Sequence, residues 1–152
     1  MHLGDLIAPE AVIPSLKVKS KKQLLTELSA HAARVAGLPE RDIFDVLLQR
    51  ERLGSTGLGQ GVAIPHGKMA GLKRIVGVFA RLPEPVDFDA VDGRPVDIVF
   101  LLLAPEGAGA DHLKALARIA RVLRDEKTAE LLRSARDESA LRALLTSPAA
   151  AA

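Results

Sequence analysis

A histidine set in a glycine-rich run is the part of this sequence best suited to chemistry. The run extends from Gly54 to Lys68, reads GSTGLGQGVAIPHGK, and places His66 between a proline and a glycine. Glycine adopts backbone conformations that other residues resist, and proline fixes the backbone angle just before the histidine. We therefore expect the imidazole to project from a stiff backbone beside free N–H groups, so that a ring nitrogen can attack a phosphoryl group. The alternative is an ordinary histidine in a turn at the end of a strand.

Arg50 is a second candidate because of its place on a predicted helix. This helix spans 39–53, and steps of four and three residues along its apolar stripe lead from Ile43 through Leu47 to the arginine. A guanidinium at that position could form a two-point contact with a phosphoryl group. It could equally lay its stem across the edge of the core, so both roles stay open.

Further candidates lie inside the run and later in the chain. His112 stands at the predicted start of a third helix, where unpaired N–H groups and a partial positive charge suit a phosphate. It could instead be a surface histidine in a first turn. Ser55 and Thr56 could donate hydroxyl hydrogen bonds to a phosphoryl oxygen or simply cap the loop, and Gly57 completes the predicted phosphoryl-contacting group.

The glycine spacing does not fit a nucleotide-binding loop. A Walker loop places four residues between its first glycine and a Gly-Lys pair that precedes Ser or Thr. Here five residues separate Gly61 from Gly67, and Met69 follows the lysine. The glycines from Gly57 to Gly61 also miss the dinucleotide spacing by one residue.

The four histidines include no pair at ligand spacing and the chain has no cysteine, so we expect no metal site and no cofactor.

Composition narrows the class of protein. The 152 residues carry 21 basic and 19 acidic side chains, and this near balance requires no polyanionic partner. Four Phe without Trp or Tyr offer little surface for base stacking, so we expect no nucleic-acid binding. No signal peptide or membrane-spanning stretch is evident, which favours a cytoplasmic protein.

The predicted third helix has a basic strip that is either a solvated face or a guide for an acidic partner: Lys114, Arg118, Arg121 and Arg124.

Periodicity predicts strands interleaved with helices, an α/β sandwich in one domain at 1–146 with a disordered tail at 147–152. Strands are expected at 12–18, 62–65, 75–82 and 96–104, with Pro83 and Pro85 ending the third. Helices are expected from the N-cap Ser20 to Gly37, at 39–53, at 111–124, and near 127–133 and 138–145. The apolar face of the third helix is expected to comprise Leu113, Leu116, Ala117, Ala120 and Leu123.

The segment from Arg50 to Lys68 resembles the active-site segment of phosphotransferase-system (PTS) enzyme IIA proteins of the fructose/mannitol class, and most of all their nitrogen-regulatory branch. The resemblance covers nearly the whole chain, including FDAVDGRPVD at 88–97, LLLAP at 101–105 and the pair at 112–113. It implies that 1–146 is an EIIA type-2 domain with the fold of the mannitol-specific IIA proteins, a mixed β-sheet flanked by helices.

The resemblance also implies a function. His66 would accept a phosphoryl group from the phosphohistidine of an HPr-type carrier, which enzyme I charges from phosphoenolpyruvate, and Arg50 and His112 would be supporting active-site residues. The phosphorylation state would regulate targets such as potassium transport systems or sensor kinases. Gln60 stands where some sugar-transporting relatives have an acidic residue, and no IIB cysteine or IIC membrane segment is fused on, which favours the regulatory branch.

Two alternatives remain at this point. The first is a sugar-specific IIA that passes its phosphate to the IIB part of a membrane permease. The second is an interaction module whose histidine is never phosphorylated.

Overall fold

The computed structural model describes residues 7–146, with side chains from residue 11 onward. The predicted tail at 147–152 lies outside the described residues. The strands of the described part are β1 (Ile7–Ile13), β2 (Gly57–Gly59), β3 (Val62–Ala63), β4 (His66–Met69), β5 (Val76–Val86) and β6 (Val96–Pro105). Its helices are α1 (Lys21–Ala36), α2 (Glu40–Arg52), α3 (Ala110–Arg124), α4 (Glu126–Ser134) and α5 (Glu138–Leu145).

All six strands belong to one mixed sheet. Its order is β1-β5-β6-β3-β2, and β4 also pairs with β6. The central pair β5–β6 is antiparallel, as is β2–β3, whereas β1 runs parallel to β5 and both β3 and β4 run parallel to β6. The predicted mixed sheet is confirmed.

Helices cover both faces of this sheet. In β6 the residues from Val99 to Leu103 at odd numbers pack with α1 and α2, whereas those from Ile98 to Leu102 at even numbers pack with α3, α4 and α5. A strand alternates its side chains between two faces, so one strand contributes to two separate cores. The predicted sandwich of a sheet between helix layers is confirmed.

The ends of α1 follow the predicted caps. The Ser20 hydroxyl accepts a hydrogen bond from the Gln23 N–H at 3.1 Å, which satisfies a backbone donor that the first turn leaves free. At the other end, Gly37 adopts a left-handed conformation with φ of +70° and donates its N–H to the Ala33 carbonyl.

Two strand predictions need correction here. The first strand ends at Ile13 rather than continuing to residue 18, because Pro14 has no N–H to extend the ladder. Pro83 and Pro85 do not end β5, which continues to Val86. Its pairing with β6 is irregular between Arg81 and Val86, and an irregular stretch is where a sheet tolerates proline.

The predicted apolar face of α3 is right only in part. Leu123 is buried, and Leu116 and Ala120 are partly buried against the core. Leu113 is 68% exposed and Ala117 is exposed, whereas His112 is buried. The buried face of the helix consists of His112, Ala115, Ile119, Val122 and Leu123. The true stripe lies about one residue away from the predicted one, which turns His112 toward the sheet.

Candidate functional site

His66 is the first residue of β4, and not the residue after a strand. The predicted strand at 62–65 stops at Ala63, because Pro65 cannot donate to a ladder. The Pro65 carbonyl nevertheless accepts the Leu102 N–H at 2.9 Å, and His66 then lies opposite Leu102 in the parallel ladder with β6. Because both Pro65 and His66 pair with β6, the backbone that carries the imidazole is fixed by the sheet.

The imidazole of His66 is held in one tautomer by its own backbone. Its Nδ1 lies 2.7 Å from the carbonyl oxygen of Ile64. A carbonyl only accepts, so the proton of the neutral ring is on Nδ1 and the lone pair is on Nε2. The side chain is partly exposed, so Nε2 is the nitrogen available as a nucleophile.

Arg50 reaches the nucleophilic nitrogen from the last turn of α2. Its Nε–H donates to His66 Nε2 at 3.3 Å, and its Nη1 donates to the Gly54 carbonyl at 2.9 Å. The second bond ties the guanidinium to the start of the glycine run. The structure thus brings Arg50 and His66 together. The guanidinium lies next to the position that a phosphoryl group on Nε2 would occupy.

His112 approaches the same imidazole from the first turn of α3. The two rings meet edge to face, with centroids 5.7 Å apart and an interplanar angle of 65°. His112 is 6% exposed, and its Nε2 is a buried atom that has no hydrogen-bond partner among residues 7–146. Buried polar atoms are nearly always hydrogen-bonded, so this nitrogen is available to a group that the described part of the chain does not supply.

Both histidines of the site favour their neutral forms. Burial lowers the pKa of His66, the Ile64 carbonyl raises it, the Arg50 charge lowers it, and the Glu51 carboxylate raises it, with a net lowering. Burial also lowers the pKa of His112, assisted by the charges of His66 and Lys68. A neutral His66 keeps the Nε2 lone pair that a nucleophile needs.

The predicted phosphoryl-contacting residues hydrogen-bond to each other and to groups outside the glycine run. The Ser55 hydroxyl donates to the Phe88 carbonyl at 2.7 Å and accepts the Gly57 N–H at 3.1 Å. Thr56 is buried, and both its N–H and its hydroxyl donate to the carboxylate of Glu51. A role for these three groups at a phosphoryl group stays a prediction, and each hydroxyl would have to exchange its present acceptor to take it up.

Glu51 is a residue of the site that sequence reasoning missed. It is buried on α2 together with Ile43 and Leu47. The signal was present in the sequence, because steps of four residues from Ile43 lead through Leu47 to Glu51 and place a carboxylate on the apolar stripe. Lys21, the first residue of α1, forms an ion pair with it at 3.0 Å.

The site contains no evident metal centre. Within residues 7–146, no three His, Asp or Glu side chains lie close enough together to hold a metal ion. What the arrangement offers is a neutral nucleophilic nitrogen, a neighbouring guanidinium and a buried ring nitrogen that lacks a partner.

A family model matches the chain over residues 5–147. Its description is phosphoenolpyruvate-dependent sugar phosphotransferase system, EIIA 2. The chain belongs to this EIIA 2 family. This confirms the family inferred from the motif, and makes the protein an EIIA component of the phosphotransferase-system type.

Individual relatives place this EIIA 2 chain nearer to regulatory than to sugar-specific proteins. It is 62% identical over 152 residues to a nitrogen regulatory protein of Bradyrhizobium diazoefficiens, covering 100% of this chain and 99% of the relative. It also resembles the crystal structure of the nitrogen regulatory protein IIA-Ntr from Neisseria meningitidis, with a TM-score of 0.90, 42% identity, and coverage of 95% of this chain and 99% of the other.

The fold of this EIIA 2 chain is shared more widely. IIA mannitol from Escherichia coli matches with a TM-score of 0.77 at 21% identity, covering 91% of this chain and 97% of the other, which shows likeness of fold. In the part of the chain from residue 7 to residue 146, no helix is long and apolar enough to cross a membrane.

Proposed function

We propose that His66 accepts a phosphoryl group on Nε2 from the phosphohistidine of an HPr-type carrier protein, and that the phosphorylation state of His66 regulates target proteins. The observation that carries this proposal is the hydrogen bond from His66 Nδ1–H to the Ile64 carbonyl, because it leaves Nε2 as the nucleophile. Membership of the EIIA 2 family supports a phosphotransferase-type carrier. The name of the 62% identical relative supports the regulatory role.

The transfer step conserves atoms and charge. The Nε2 lone pair forms a bond to phosphorus while the P–N bond of the donor phosphohistidine breaks, and the electron pair of that bond stays on the donor imidazole. His66 keeps its Nδ1 proton throughout. The ring gains positive charge as it is phosphorylated, and the Ile64 carbonyl, 2.7 Å from Nδ1, stabilises that charge.

The remaining groups would act by positioning and by neutralising charge, which are the main contributions of proteins to phosphoryl transfer. Arg50 lies beside Nε2 and would turn its guanidinium to the phosphoryl oxygens. The partnerless Nε2 of His112 would make a hydrogen bond to one of these oxygens. The N-terminus of α3, which carries His112, adds a partial positive charge.

Phosphorylation would change the surface that a partner meets. A phosphoryl group adds nearly two negative charges and several hydrogen-bond acceptors at a side chain that is now partly exposed and neutral. A target that binds the neutral surface would then be released, or one that requires the charge would be recruited. We expect this exchange in the cytoplasm, where phosphoenolpyruvate is made, with targets such as potassium transport systems or sensor kinases.

Phosphorylation with purified components tests the proposal. The protein is incubated with phosphoenolpyruvate, enzyme I and an HPr-type carrier, and its intact mass is measured. We expect the wild type and His31→Ala to gain one acid-labile phosphoryl group, and His66→Ala to gain none. An acid-labile phosphate on His66→Ala contradicts the site assignment, and a normal rate for Arg50→Ala contradicts the role of the guanidinium.

The same material separates the two alternative functions. Transfer from phosphorylated His66 to the cysteine of a separate IIB protein would support a sugar-specific role. Affinity capture with His66→Ala and with the charge mimic His66→Asp should retain different proteins if phosphorylation is the signal. Identical binding by both variants would favour a module that acts without phosphorylation.

A further inference from the structure

Glu51 is an ionised side chain fixed inside the protein. Its side chain is 3% exposed, and Oε1 accepts the Thr56 N–H at 3.0 Å while lying 3.0 Å from the Lys21 ammonium. Oε2 accepts the Thr56 hydroxyl. Burying a charge costs on the order of several kcal/mol unless partners replace the water. Three donors do so here, which makes the carboxylate an anchor and not part of a solvated face.

The hydrogen bonds of this anchor continue to His66. The Thr56 carbonyl accepts the Ile64 N–H at 3.1 Å, and the Ile64 carbonyl accepts the His66 Nδ1–H at 2.7 Å. On the other side of the ring, Nε2 accepts from Arg50 at 3.3 Å. Arg50 and Glu51 are neighbours on α2. The hydrogen bonds, joined through the covalent structure of Thr56, Ile64 and His66, therefore form a closed circuit that begins and ends on this helix.

The position of Lys21 supports a specific use of this ion pair. A lysine at the first residue of a helix faces the positive end of the helix dipole, and α1 has no acidic residue in its first turn to offset it. The ammonium instead contacts Glu51, lies 4.5 Å from the centre of the Phe88 ring, and is 3.9 Å from Asp89. The position of the ammonium is therefore favourable for the charge of Glu51 and unfavourable for the dipole of α1.

We propose that Glu51, with Lys21 as its counterion, is a positioning residue that keeps the proton of His66 on Nδ1 and the lone pair on Nε2. It does so by fixing the peptide groups of Thr56 and Ile64, whose carbonyls carry the circuit to the ring. This inference rests on the proposed function in one respect, namely that Nε2 is the atom that accepts the phosphoryl group.

Glu51→Gln is the sharpest variant, because it preserves the size of the side chain and removes its charge. An amide has one acceptor oxygen and an NH2 group, so it cannot accept both Thr56 donors and the Lys21 ammonium as the carboxylate does. Thr56→Val removes the hydroxyl alone at nearly constant shape. Lys21→Met removes the counterion and keeps an unbranched apolar stem.

Nitrogen-15 NMR of the histidine ring measures the proposed effect without any phosphoryl donor. At a pH where His66 is neutral, the shifts of Nδ1 and Nε2 report which nitrogen carries the proton. We expect one tautomer in the wild type. In Glu51→Gln we expect the ratio of the Nδ1–H to the Nε2–H form to fall about tenfold, a change of the size that follows loss of a hydrogen bond to a charged group. Thr56→Val and Lys21→Met should shift it in the same direction by less.

Phosphorylation kinetics provide the second readout. With the phosphorylated HPr-type carrier in excess and its concentration varied, Glu51→Gln should lower the limiting rate constant for phosphorylation of His66 about tenfold. The half-saturating carrier concentration should stay within about twofold, because the defect lies in the reacting atoms and not in docking. Ile43→Val is the matched control. It removes a methyl group from the buried face of the same helix without touching the circuit, so its tautomer ratio and limiting phosphorylation rate constant should equal those of the wild type.

Each outcome decides one of the two proposals. A folded Glu51→Gln protein with a wild-type tautomer ratio and a wild-type limiting phosphorylation rate constant overturns the positioning role. The same shift in Ile43→Val also overturns it, because a general loosening of α2 would then suffice. If Glu51→Gln does not fold, Thr56→Val and Lys21→Met decide by the same two measurements. A wild-type protein that is not phosphorylated on His66 overturns the proposed function alone, and the tautomer ratios still test the role of Glu51.

Discussion

His112 presents its ring edge to face against His66, with centroids 5.7 Å apart, and its buried Nε2 has no hydrogen-bond partner in the described part of the chain. Such a nitrogen costs free energy in the resting protein, since it has lost water and gained nothing in return. The cost is offset if the nitrogen meets an oxygen when His66 is phosphorylated. Under the proposed function, we therefore expect His112 to stabilise the phosphoryl group during the reaction and not to stabilise the resting fold.

Replacing His112 should therefore slow phosphorylation more than it affects folding. We expect His112→Ala to accept a phosphoryl group on the order of a hundredfold more slowly, as loss of one hydrogen bond to developing charge does in other enzymes. The rate is followed by quenching the reaction with carrier and enzyme I at intervals and measuring intact mass.

His31 provides the matched control for that measurement. It lies on α1 and pairs through Nδ1 with Arg34 at 2.9 Å, so His31→Ala also removes one imidazole. We expect its phosphorylation rate to equal that of the wild type. Equal rates in wild type and His112→Ala would remove His112 from the mechanism.

The lowered pKa values make a prediction about pH. Burial is the main cause for both His66 and His112, so each should titrate below the ordinary value of about 6.5. Between the folded pKa and about 6.5, the unfolded chain binds more protons than the folded protein, so stability rises with pH across this window. The stabilisation is complete above about 6.5 and is lost as the pH falls through the folded pKa.

Two measurements check this pH dependence. An NMR titration should give midpoints below about 6.5 for the rings of His66 and His112. Urea unfolding between about pH 5 and 8 should show stability falling toward acid, and the fall should be shallower in His66→Ala, which lacks one of the titrating groups. A His66 midpoint above the ordinary value would contradict the neutral nucleophile.

Local signals predicted much of this fold from the sequence, because caps and periodicity act over a few residues. Ser20 and Gly37 marked both ends of α1, and the phase of α2 placed Arg50 toward the glycine run. The face of α3 could not be predicted in this way, since hydropathy favours Leu113 over His112 as the buried residue. The burial of His112 in place of Leu113 goes with its contact to the His66 ring, and no local sequence pattern encodes a tertiary contact.

The hydrogen-bonded circuit through Glu51 shows the same limit. Its partners Lys21 and Thr56 are far apart from each other in sequence and meet through the packing of α1 against α2. A carboxylate on an apolar stripe indicated an unusual position. Its role depended on partners that only the folded chain brings together.

Arg81 should be a strong determinant of stability. Its guanidinium donates to the carbonyls of Pro14 and Leu132, both at 2.9 Å, and also to the Ala135 carbonyl. The last carbonyls of a helix lack partners within the helix, so a cation there satisfies acceptors and opposes the dipole at the end of α4. We expect Arg81→Met to lose about 2 kcal/mol or more in the free energy of unfolding.

Urea denaturation with Arg136→Met as the control measures this effect. Arg136 is an exposed arginine beside the same helix end, so the control variant changes net charge equally. The midpoint should fall clearly for Arg81→Met and hardly at all for Arg136→Met. A similar small shift in both would mean that the bonds from Arg81 to the three carbonyls contribute little beyond surface charge.

Gly67, next to the nucleophile, should not tolerate a side chain, because α2 packs directly against it. A Cβ at this position would lie 2.3 Å from Val46 Cγ1, far inside van der Waals contact. Valine is restricted to one rotamer in a helix, so α2 itself would have to move away from β4. Because α2 carries Arg50, we expect Gly67→Ala to lose about 1–3 kcal/mol of stability and to slow phosphorylation together.

Val46→Ala turns this clash into a double-mutant test. It removes Cγ1, and the remaining Val46 Cβ is 3.7 Å from the added Cβ, an ordinary contact. The double variant Gly67→Ala/Val46→Ala should therefore recover most of the rate and stability that Gly67→Ala loses, with a coupling free energy of about 1 kcal/mol or more. Additive losses instead would show that the clash with Val46 is not the cause of the defect. In that case the contact between α2 and β4 would not set the distance from Arg50 to His66.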